Sequence, residues 1–139
     1  MSLALDSSIL IAALVTAEAR HEACHALLDE QEVNIYCHAL VETFGTLTGG
    51  RLGYRVSSGM AAELIEKSIL PWVKVIQLSP KELIGAFHDA QSRGARGGAI
   101  YDYLHLAAAK KAGTERFYTL NLSDFTAIHR PGDPEIASV

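Results

Sequence analysis

Several features that would mark a specialised chain are scarce here. Only two cysteines occur in 139 residues, Cys24 and Cys37, and they form no CxxC pair. That excludes a disulfide framework and leaves each thiol to act as a small buried hydrophobe. No uncharged apolar run reaches the roughly 18 residues that a membrane span needs. The apolar opening, residues 1–15, contains Asp6 and has no basic segment ahead of it, unlike a secretory leader. The expectation is a protein of a reducing cytoplasm. GxxxxGK(S/T), GxSxG and GxGxxG are all absent, which removes the familiar phosphate-cradle, serine-nucleophile and dinucleotide readings. A basic surplus is missing too. Twelve Lys and Arg face sixteen Asp and Glu, a net charge of −4, whereas nucleic-acid binders are usually basic.

What remains is ordinary globular composition, with 49% hydrophobic and 20% charged residues and no internal repeat. The length suits one domain spanning residues 1–139. Short apolar runs at 3–5, 33–37, 72–78 and 117–120 are expected as strands, with a last edge strand at 136–138. Segments with helical spacing lie between them, at 9–15 with a cap near Ser7, 19–31, 39–47, 58–70, 80–94, 99–112 and 123–128. Apolar strands alternating with helices imply a parallel sheet buried on both faces. The expected class is therefore α/β, a Rossmann-like three-layer α/β/α arrangement around four to five parallel strands. Ligands in such sheets bind beyond the carboxyl ends of the strands, where strand order reverses.

Carboxylates stand at that edge. Asp6 ends the first strand, where burial would be costly unless the group is capping, paired or cation-bound. Glu42 is the one acid in an otherwise apolar or small segment after the second strand. Asp102 opens a helix, where the dipole favours negative charge, and shares an inward face with Leu106 and Ala109. Asp124 follows the strand FYTL, with Thr119 and Asn121 adding oxygen-bearing side chains. Each acid alone has a plain explanation as a cap or a solvated side chain. Together in one cleft they would raise one another's pKa unless a cation neutralised them. An all-oxygen donor set suits Mg²⁺ or Mn²⁺. Such a centre serves phosphodiester hydrolysis, and it accounts for the acidic surplus. Arg51, Arg55, Arg93, Arg96, Lys110 and Lys111 are candidates for phosphate contacts.

Four blocks, LALDSSILIAAL, ALVETFGTLT, GGAIYDYLHLAAAKKAG and RFYTLNLSDF, carry these residues along essentially the whole chain. In this order and spacing the sequence resembles the PIN-domain proteins, and more narrowly the VapC-type toxins of bacterial toxin–antitoxin pairs. The resemblance implies a PIN-like fold and Mg²⁺- or Mn²⁺-dependent cleavage of RNA. It also implies a homodimer and a cognate antitoxin that inhibits the enzyme. Asp6, Glu42 and Asp102 match the family's metal-binding carboxylates, and Ser7 matches the small hydroxyl residue that follows the first aspartate. The fourth ligand falls on Asn121 or Asp124, and a neutral Asn121 there would leave the metal count open. Asn121 and the low net basicity also admit a catalytically weak, partner-binding member of the family.

A competing motif lies at residues 21–25, HEACH, which fits the HExxH pattern of zinc proteases. His21 and His25 would share a helix face, with Glu22 as base, yet no downstream third ligand is evident. His38, His88, His105 and His129 read as surface or partly buried imidazoles. Trp72 and the tyrosines read as core or interface residues that offer no stacking platform for bases.

Overall fold

The computed structural model describes all 139 residues. Its elements run β1 (Ser2–Leu5), α1 (Ser7–Leu14), α2 (His21–Leu27), β2 (Glu32–Tyr36), α3 (His38–Gly49), α4 (Ser58–Ser68), β3 (Lys74–Ile76), α5 (Pro80–Arg93), α6 (Ala99–Lys111), β4 (Arg116–Tyr118), α7 (Leu122–Ile128) and β5 (Glu135–Ala137). Every neighbouring strand pair is parallel, in the order β3-β2-β1-β4-β5. The sheet is central, as the apolar strands require. In β1, Leu3 and Leu5 face one hydrophobic cluster with α1, α2 and α3, and Ala4 faces a second cluster with α5, α6 and α7. All four β1 residues are buried, because helices cover both sides of this strand. No helix is long and apolar enough to cross a membrane.

Local chemistry sets the boundaries. Ser79 and Glu82 close a reciprocal capping box at the start of α5, and Pro80 takes the first helical position. Gly50 and Gly94 end α3 and α5 in the left-handed conformation, which a residue lacking Cβ adopts freely.

The cap expected near Ser7 is Asp6 itself, the capping role its place after the first strand allowed, and its carboxylate accepts from the Ile9 N–H. Two expectations are corrected here. The expected helix at 19–31 shrinks to α2, because the chain turns through exposed residues at 19–20 and 29–31, and only Cys24 and the flanking Leu28 are anchored in the core. The expected strand at 72–78 is also shorter. Pro71 fixes a single 3₁₀ turn over Leu70–Trp72, leaving Trp72 exposed and only Lys74–Ile76 paired with β2.

Candidate functional site

The chain leaves β1 towards β2 on one side and pairs with β4 on the other, so strand order reverses between β1 and β4. The crevice beyond their carboxyl ends is where an open parallel sheet offers a site. Asp6 is the first residue past β1 and Thr119 the first past β4. The Thr119 hydroxyl donates to Asp6 Oδ2 at 2.6 Å, and the Ser8 hydroxyl donates to Oδ1 at 2.5 Å. Asp6 is nearly inaccessible, at 3% exposure. Burial pushes its carboxyl above the usual range, opposed by Ser8, Thr119, the charge of His105 and the Ile9 N–H. Asp6 is thus both a helix cap and a desolvated acid at the switch point.

Glu42 sits on the second turn of α3 and Asp102 on the first turn of α6. Burial is the largest influence on Glu42 and raises its pKa. The hydrogen bond and charge of His105, with His38 and Ser7, outweigh burial and leave the carboxyl below its ordinary value. His105 Nε2 donates to Glu42 Oε1 at 2.6 Å. Asp102 is pushed up to about 6, first by burial, then by the charges of Asp124, Asp6 and Glu42 against the opposing charge of His105. That coupling puts all four carboxylates in one electrostatic neighbourhood. Asp124, in the first turn of α7, is the nearby acid from the last block. The neighbouring Asn121 is held through its backbone N–H, which Thr119 Oγ1 accepts at 2.9 Å.

The acids are neighbours without being pooled. No group of three or more His, Cys, Asp or Glu side chains stands placed to hold a metal ion. Asp6 is turned to Ser8 and Thr119, and Glu42 to His105. Like charges in one crevice lower their energy by taking separate donors. The donor set, carboxylates with hydroxyls and no thiolate, nonetheless has the chemistry of a hard divalent cation's ligands.

Beside Glu42 opens a pocket of about 500 Å³ lined by Ser7, Glu42, Gly45, Thr46, Gly49 and Arg51, none of them hydrophobic. Glu42, Gly45, Thr46 and Gly49 follow helical spacing along one face of α3, and nothing lies within 4 Å of where a Cβ would stand on either glycine. Arg51 closes the far end. Arg55 lies over Gly50, where a Cβ would meet its Nε at 2.7 Å. Arg96 borders a different pocket, at the end of α5 with Phe87 and Gly94.

Other basic candidates are already engaged. Arg93 is buried, its guanidinium paired with Asp133 and Asp89 and lying 4.8 Å from the centre of the Tyr103 ring. Lys110 faces Asp133, and Lys111 bonds Gln77 O and Glu82. These three hold α5, α6 and the chain after α7 together, so they leave the list of phosphate contacts. The HExxH segment is also partly committed. His21 Nδ1 is 2.8 Å from Ala12 O, the two rings are 5.8 Å apart and tilted, and no third ligand joins them.

His105 is the residue that sequence reasoning missed. Read as a surface or half-buried imidazole, it is 2% exposed, lies among Asp6, Glu42 and Asp102, and has no hydrogen-bond partner at Nδ1. A signal was available. It lies three residues after Asp102 and so shares the inward face of α6.

Comparison with known proteins agrees with this architecture. No family model matches the chain, and no curated protein sequence matches it. Solved structures do. VapC20 of Mycobacterium tuberculosis, described as a Sarcin-Ricin loop cleaving toxin, superposes with a TM-score of 0.68 at 26% identity, covering 91% of this chain and 94% of that one. VapBC2 from Rickettsia felis, bound to a promoter DNA fragment, gives 0.69 at 15% identity over 100% and 99% of the two chains. VapBC-1 from nontypeable Haemophilus influenzae gives 0.62 at 16% identity over 99% and 98%. The chain folds as a PIN domain. Its neighbours in structure are the VapC toxins of toxin–antitoxin pairs.

Proposed function

We propose that this chain is a metal-dependent endoribonuclease acting as the toxin of a toxin–antitoxin pair. The observation that carries the reading is the gathering of Asp6, Glu42, Asp102 and Asp124 at the switch point of a VapC-like fold, where their charges act together on Asp102. In this reading Asp6, Glu42, Asp102 and Asp124 hold Mg²⁺ or Mn²⁺, with Thr119 and Ser7 in support. The bound ion supplies polarisation of the phosphoryl oxygen and an acidified water.

The protein's own part is preparation. Thr119 and Ser8 fix Asp6 in one rotamer, and His105 keeps Glu42 ionised. The polar groove along α3 admits the sugar–phosphate chain because Gly45 and Gly49 present no side chains, and Arg51 meets a backbone phosphate at its end. One local basic residue beside an acidic centre reconciles RNA binding with the net charge of −4. Two of the solved neighbours contain both partners of a VapBC pair, which supports a cognate antitoxin for this chain. A homodimer completes the proposal. The shallow apolar groove between α3 and α4, lined by Val41, Phe44, Ala62, Ile65 and Leu70, is the surface assigned to it.

The test is cleavage of total RNA by the partner-free chain with Mg²⁺, then with EDTA, beside Asp102→Asn. Activity that needs Mg²⁺ and vanishes in both controls is expected. A chain that binds its antitoxin but never cuts RNA would replace this reading with that of a partner-binding module.

A further inference from the structure

The aromatic residues near the crevice, expected to be core or interface, form a connected series of rings. Tyr101 stacks on His38 with centroids 5.5 Å apart and planes 19° from parallel. His38 is 6.4 Å from Tyr36, and Tyr36 meets His105 edge-on at 5.5 Å. His105 in turn bonds Glu42. The series begins at the surface, with Tyr101 51% exposed, and ends on a site carboxylate. Tyr103, two residues on, is buried with its hydroxyl on Asp89, so exposure at Tyr101 is specific to that position.

Placement gives this exposed ring a purpose. Tyr101 directly precedes Asp102, and His38 lies one helical turn before Glu42 on α3. Along that face of α3 the order is His38, Glu42, Thr46, Gly49 and then Arg51. The carboxylate therefore lies between an aromatic surface on one side and a polar groove ending in a cation on the other. A nucleotide chain presents both matching chemistries, a flat base and a charged backbone. Tyr101 is already held by His38, so little rotamer freedom is lost on binding. Any base can stack on such a ring, provided neither pairing nor neighbouring bases cover its face.

We propose that Tyr101, backed by His38, is a stacking platform for an unpaired base of the RNA beside the cleaved phosphate. The inference rests on the ribonuclease reading for its placement but is tested by binding alone. The full chain carrying Asp102→Asn, which does not cut in that reading, is titrated in Mg²⁺ into a fluorescein-labelled single-stranded oligoribonucleotide and into an abasic ribose-phosphate oligomer of equal length.

Adding Tyr101→Ala is expected to weaken oligoribonucleotide binding roughly tenfold and to leave the abasic oligomer unaffected, whereas Tyr101→Trp retains binding. Equal loss on both ligands, or no loss on either, overturns the platform. Unchanged RNA binding with a weakened antitoxin complex would likewise overturn it and assign Tyr101 to the protein partner. If the unmutated chain never cleaves RNA while the base-dependent loss persists, the nuclease reading fails and the platform stands.

Discussion

The Thr119 hydroxyl donates a 2.6 Å hydrogen bond to Asp6 Oδ2, joining the ends of β4 and β1 across 113 residues of chain. The same hydroxyl accepts from the Asn121 N–H and so also fixes the turn into α7. One oxygen thus ties a buried carboxylate to the loop that leads to Asp124. Thr119→Val keeps the shape and removes the donor. It should cost about 2 kcal/mol of stability, the worth of a hydrogen bond to a charged group, read from urea unfolding. It should also push the Asp6 pKa further up, because one of the influences opposing burial is gone. An unchanged urea midpoint would show that the bond contributes nothing.

Asp102 predicts a pH dependence. Its carboxyl is raised from 3.8 to about 6, so between those values the folded protein holds a proton that the unfolded chain releases. Stability from this group therefore falls as pH climbs from about 4 to about 6, and its full cost persists above that window. A divalent cation binding the ionised form offsets the cost. Mg²⁺ should raise Tm more at pH 7.5 than at pH 5, and Asp102→Asn should abolish that difference. A Mg²⁺ response identical at both pH values would contradict the assignment.

His105 and Glu42 behave in the opposite sense. His105→Leu removes the first influence that opposes burial at Glu42, so the Glu42 carboxyl should move upward. The shift is measurable by carbon-13 titration of the glutamate side chains. His105→Gln, which keeps an N–H donor, should restore part of it. No movement in His105→Leu would mean that His105 does not hold Glu42 ionised.

Arg93 and Asp133 test the scaffold apart from the site. Both side chains are almost inaccessible, and Arg93 also donates to Ile128 O and to Asp89. Asp133→Ala leaves the buried guanidinium with only the half-exposed Asp89 as a carboxylate partner and should destabilise the fold by about 3 kcal/mol. Substituting both with apolar residues of similar size should cost much less, because no unpaired charge remains. RNA cleavage per folded molecule is expected to persist in the double variant.

Asp6, Glu42, Asp102 and Asp124 were legible as candidates because local physics constrains where an acid can stand. An aspartate directly after an apolar strand, or in the first turn of an inward-facing helix, is marked by its neighbours in sequence. The apolar strands themselves, such as LAL at 3–5 and VNI at 33–35, announced a sheet covered on both faces for the same reason. Short-range rules did not reach the strand after Pro71, where a proline turn displaced Trp72 to the surface.

Partners across the fold were decided by tertiary structure alone. Nothing near Glu42 in sequence points to His105, and nothing near Tyr101 points to His38. Each pair forms because parallel β1, β2 and β4 bring the starts of α3 and α6 to one edge. The same assembly buried Arg93 against Asp133 and left Arg51 on the groove, although composition treats the two arginines alike. Periodicity and strand-end chemistry set which residues face inward or lie at the edge, since those depend on a few neighbouring dihedrals. That Asp6 takes Thr119 and Glu42 takes His105 depends on side chains more than sixty residues away and was settled only when the sheet closed.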